Sequence, residues 1–151
     1  MRLGSMACKG TVMKYDYIIT PFLSWLVAGI IKFTINSFKA KRLALDLIGY
    51  GGLPSNHSAI VSSMAAIIAL KEGANHPAFG TALTLAFIVI LDANSLRQQV
   101  GKHAQTINQI LGTASKDKPL RERIGHSRLE IAAGIAVGIG VAAAVNRYLI
   151  P

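Results

Sequence analysis

Charged residues in this chain fall into a few clusters, leaving four charge-free stretches: Tyr17 to Ile31, Leu47 to Leu70, Gly73 to Leu91 and Ile131 to Asn146. A soluble domain of this size leaves about a third of its surface exposed and keeps a charged exterior over it. Here only 15% of the 151 residues are charged and 52% are apolar, against about 25% charged in a typical soluble domain. The sequence therefore predicts an all-α integral membrane protein, a bundle of about four transmembrane helices. The spans fall at about 16–36, 56–71, 78–94 and 127–148 within one membrane-embedded domain, 1–151.

The net charge of +9 raises nucleic acid as a partner. More than half of the basic residues, however, lie in two connecting segments and not along one soluble helix, which argues against that class. The lone Cys8 has no disulfide partner, and no Cys/His cluster has zinc spacing, so neither a metal nor a cofactor is expected. The first residues, MRLGSMACKGTVMKYDY, lack the apolar core and small-residue cleavage site of a secretory signal.

Gly49, Gly51, Gly52 and Pro54 break any helix before the second span, and KEGANHP ends that span. Lys32 and Lys71 read as snorkelling residues at span ends. In the last span Ala132, Gly134, Ala136, Gly138 and Gly140 bring small residues together, with Gly134 and Gly138 as a GxxxG pair. That face predicts a close helix contact, for which a homodimer is one use; tolerance of small residues in lipid is the other reading. With four spans, the segments holding His57 and His126 share a membrane side. Ten Lys and Arg lie there, within 39–58 and 92–128, against five on the opposite side (Arg2, Lys9, Lys14, Lys71, Arg147), which places the histidines in the cytoplasm. A site that binds phosphate would collect the same charges.

Chemistry-bearing residues concentrate in 39–58 and 92–130. GGLPSNHSA, from Gly51, is a glycine-rich loop entering a helix, where backbone amides with Ser55, Asn56 and Ser58 suit an oxyanion. His57 there can exchange protons near neutrality. The same residues also read as a turn with ordinary caps. In RERIGHSRLEIAAG, Glu130 lies one helical turn beyond His126 and could hold one ring nitrogen, leaving the other to attack; a solvated pair at a helix start is the plainer alternative. Near the end of the third span, Arg97 has the two-pronged geometry to clamp phosphate, beside Lys102 and His103, with Asp92 as its support. His76 and His103 read as structural or solvated.

These segments together resemble the type 2 phosphatidic acid phosphatase superfamily, to which vanadate-dependent haloperoxidases also belong. The closer similarity is to its divergent branch of small membrane proteins, which show GGMPSSHSA, then DAxGVRxxxGxxA, then LRExLGHxPxEVxAG. Here these stand as GGLPSNHSA, DANSLRQQVGKHA from Asp92 and LRERIGHSRLEIAAG from Leu120, in order and with similar spacing. The resemblance implies a metal-independent phosphohydrolase working through a phosphohistidine. His126 would be the nucleophile, Glu130 its orienting acid and His57 the general acid; Ser55, the following amides and Arg97 would hold phosphoryl oxygens. The superfamily's first motif, a lysine followed by Arg-Pro, is absent, so Lys39, Lys41 or Arg42 would stand in. Leu120 occupies the position of an arginine of the third motif, with Arg121 adjacent. The leading expectation is hydrolysis of a lipid or isoprenoid phosphate. The alternative is a membrane module that binds phosphate or lipid without chemistry; halide oxidation ranks third.

Overall fold

The computed structural model describes residues 15–43, 52–112 and 118–148. Residues 1–14, 44–51, 113–117 and 149–151, with Cys8, Gly49 and Gly51 among them, lie outside the described set. The described chain forms α1 (Asp16–Ala40), α2 (Asn56–Glu72), α3 (Pro77–Leu91), α4 (Arg97–Leu111) and α5 (Arg128–Tyr148), with no strand among the described residues. A π-helical turn, Asp92–Leu96, joins α3 to α4 without a break. Helix ends follow the local sequence. Ser55 caps α2 and His76 caps α3 ahead of Pro77, while α1 stops where Lys41 turns left-handed.

Three continuous helices are long and apolar enough to cross a membrane: Asp16–Ala40, Pro77–Leu111 and Arg128–Tyr148. The fourth expected span, α2, has 17 residues. At 1.5 Å per residue it reaches about 25 Å, short of the roughly 30 Å hydrocarbon layer. Its placement explains why it can be short: α2 packs against α1, α3 and α5, making it the inner helix. The large side chains of α1 and α3, among them Phe22, Trp25, Ile30, Leu85, Phe87 and Ile88, face outward, as lipid contact requires.

Small residues let α5 approach α2 closely. A Cβ on Gly134 would strike the Ser55 carbonyl, and one on Gly138 would strike the Ala59 carbonyl and the Ser62 hydroxyl. The GxxxG pair is thus spent inside the chain and does not face a second copy. Of the five small residues named from the sequence, Ala132, Ala136 and Gly140 are exposed on the remaining surface of α5. Serines add polar ties across the packed helices: the Ser24 hydroxyl donates to the Ala59 carbonyl at 3.0 Å and the Ser62 hydroxyl reaches the Ile135 carbonyl at 3.5 Å.

The bundle has two unlike ends. Away from the histidines lies an apolar cluster of Ala65, Ile67, Ile68, Ala82, Ala142 and Val145. There Asp16 pairs with Lys71 and the Tyr17 hydroxyl donates to Glu72, with the Lys71 ammonium 5.5 Å from the Tyr17 ring centre. The Lys71 side chain is turned inward to Asp16 and does not snorkel. These contacts make α1 and α2 antiparallel, so the end of α1 lies beside the start of α2.

Candidate active site

Two helix starts meet at the other end. Ser55, the α2 cap, accepts the Ser58 amide at 3.3 Å and the Ser58 hydroxyl at 3.1 Å, and both side chains are fully buried. These two hydroxyls, expected from the sequence to face an oxyanion, are hydrogen-bonded to each other and close the loop. His57 follows in the first turn. Its Nδ1 and the neighbouring Asn56 Oδ1 are buried with no hydrogen-bond partner among the described residues.

The α5 start is a capping box. The Glu130 amide approaches the Ser127 hydroxyl at 3.3 Å, and the Glu130 carboxylate accepts the Ser127 amide at 2.9 Å. The same carboxylate oxygen lies 3.2 Å from Nδ1 of His126, a residue only 8% exposed. Burial pushes the His126 pKa below the ordinary imidazole value, while the Glu130 hydrogen bond pulls it back up. The Glu130 carbonyl accepts the Ser55 amide at 2.9 Å, tying one helix start to the other. The His57 and His126 rings consequently stand 6.0 Å apart, centre to centre, tilted by 54°. Both imidazoles are within reach of one small anion.

The π turn supplies the third side. The Arg97 amide bonds back to the Asp92 carbonyl, five residues earlier. In an α-helix it would take the Ala93 carbonyl, so that buried acceptor is left for another donor. The His126 amide fills the role at 3.0 Å, and Gln98 Nε2 donates to the His126 carbonyl at 3.1 Å. Gly125 makes this approach feasible: its φ is +96°, and a Cβ there would lie 2.9 Å from Gln98 Cγ and 3.0 Å from the Gln98 amide nitrogen. Arg97 Nε donates to Asp92 Oδ2 at 3.0 Å, the pairing the sequence predicts.

The basic residues separate. Lys32 and Arg97 act electrostatically on both histidines, and Lys32 also acts on Glu130. Lys32 is the site cation that the sequence reading missed. Gly29 lies beside Asn56 and Asn36 beside Gly52. The antiparallel register therefore puts Lys32, and not Lys39, Lys41 or Arg42, level with His57. A lone lysine inside an apolar span was the available signal. Lys41 and Arg42 instead line a shallow groove with Phe33, Thr34, Ser37 and Phe38, and Lys39 is exposed near them. Lys102 is exposed on α4, and exposed Arg121 donates through Nε to the Arg123 carbonyl at 3.2 Å. His76 serves as a cap, its Nδ1 accepting the Ala78 amide at 3.2 Å.

Comparison with known proteins is consistent with this geometry. Residues 13–141 match the divergent PAP2 family. The chain is 27% identical over 139 residues to the uncharacterized membrane protein YuiD of Bacillus subtilis (strain 168), covering 81% of this chain and 88% of that one. No solved structure matches.

Proposed function

Because the chain belongs to the divergent PAP2 family, we propose that it is a membrane-embedded, metal-independent phosphatase acting on a lipid or isoprenoid phosphate through a phosphohistidine. The observation that carries this reading is the facing pair of imidazoles at 6.0 Å, only one of which is backed by a carboxylate. Glu130 holds the His126 Nδ1 proton, which leaves the Nε2 lone pair for attack. As the Nε2–phosphorus bond forms, the bond from phosphorus to the tail oxygen breaks, and protonated His57 gives its proton to that oxygen. A water then attacks phosphorus, passing a proton to neutral His57. The nitrogen–phosphorus bond breaks, inorganic phosphate leaves, and both histidines are reset.

Charge stabilisation supplies much of the catalysis in phosphoryl transfer. With Nε held by Asp92, the terminal guanidinium nitrogens of Arg97 face this task, joined by Lys32. The apolar outer faces of α1 and α3 keep the substrate tail in the same medium as the protein. By the positive-inside rule the histidine end is cytoplasmic; a maleimide reagent that cannot cross membranes should fail to label Arg121→Cys in a Cys8→Ser background from outside intact cells.

The direct experiment measures phosphate release from a panel of lipid phosphates in mild detergent with excess chelator. Release should survive chelation and disappear in His126→Ala. Unchanged release in that variant would reject the mechanism. Tight vanadate binding without release from any substrate would favour the binding module.

A further inference from the structure

We propose that Gln98 and the π turn form a two-point cradle that sets the position of the His126 peptide, with Gln98 as a positioning residue. His126 lies outside the regular part of α5, one residue before its cap, so α5 alone does not fix its backbone. The α3–α4 helix fixes it from the side. The Ala93 carbonyl, released because Arg97 bonds to Asp92, takes the His126 amide; Gln98 Nε2 takes the His126 carbonyl. The approach leaves so little room that residue 125 tolerates no side chain without moving Gln98.

The segment leading to His126 is fastened to the same helix at further points. Asn108 donates through Nδ2 to the Leu120 carbonyl at 2.8 Å and accepts the Leu120 amide at 2.8 Å through Oδ1. A Cβ on Gly101 would strike the Glu122 carbonyl. Residues 93, 98, 101 and 108 thus bind the chain at 120–126 like a strap along one side of the long helix. The Gln98 bond is the last fastening before the imidazole. Gln98 is itself exposed, so its replacement removes the bond without opening the core.

The cradle is independent of the reaction, but its catalytic meaning rests on the phosphatase reading. The test therefore has two readouts on the full chain in detergent. The first is the rate at which diethyl pyrocarbonate modifies His126, followed by peptide mass spectrometry, with His57 as internal control. Gln98→Ala and Gln98→Glu, which lack the donor, should raise the His126 rate several-fold and leave His57 unchanged; Gln98→Lys, which restores an N–H donor, should return it toward wild type. The second readout is phosphate release, where the donor-less variants should lower kcat by about 10- to 100-fold at constant KM, the scale of a small misplacement of reacting groups. An unchanged His126 rate in Gln98→Glu, or equal rises at His57 and His126, would overturn the proposal. The expected labelling pattern without phosphate release from any protein would uphold the cradle and reject the phosphatase reading.

Discussion

At the start of α2 the histidine follows its capping serine and sits within the first helical turn. At the start of α5 it precedes the cap and sits outside the helix. His57 therefore has the helix around it but no carboxylate on Nδ1, whereas His126 has Glu130 on Nδ1 and the π turn on its backbone. Both are short serine-capped starts joined by the Ser55 to Glu130 hydrogen bond. The difference lies in what each Nδ1 is bound to, and it supports the proposed roles: a ring held in one tautomer suits attack, and a ring without a carboxylate partner suits proton donation to the leaving oxygen.

Removing His126 is the harshest way to break that asymmetry. His126→Ala should lower kcat/KM by about 10⁴-fold or more, since no other group can take the phosphoryl. His57→Ala should cost about 10²- to 10³-fold with an alkyl phosphate, within the usual range for general acid–base groups. With 4-nitrophenyl phosphate the loss should shrink to a few-fold, because that leaving group departs without a proton. Equal losses on both substrates would mean that His57 does not protonate the leaving oxygen.

Glu130→Gln sharpens the comparison by making the two histidines more alike. It should lower kcat by about 10- to 100-fold. Since burial lowers the His126 pKa and the Glu130 bond counters it, removing the carboxylate should move the acid limb of the pH–kcat/KM profile to lower pH. A limb that stays in place would show that another group titrates there.

The smallest effects test the packing beneath the two starts. Gly134→Ala places a methyl against the Ser55 carbonyl and should destabilise the protein by about 1–3 kcal/mol in thermal unfolding. Gly140→Ala, where nothing lies within 4 Å, should stabilise it by about 0.5–1 kcal/mol.

Much of the frame is legible in the sequence because it is set locally. The charge-free stretches, the breakers before Ser55 and the KEGANHP turn place the starts of α1, α2, α3 and α5 within a residue or two of those observed. The four-residue spacing of Glu130 and His126 suggests their pairing, and the cost of an unpaired Asp92 at the end of an apolar run points to a basic partner nearby. What stays hidden depends on how helices face one another. Lys32 belongs to the site through the antiparallel register of α1 on α2. The inward turn of Gly134 and Gly138 depends on which side of α5 meets α2. Gln98 depends on a single i→i+5 bond that no residue type announces.

Glu130 closes the first turn of α5 with the same carboxylate oxygen that steadies the His126 ring. In the proposed mechanism, completing the first turn of α5 and orienting the nucleophile are therefore one event. A chain whose α5 has not yet formed would carry the histidine without its partner.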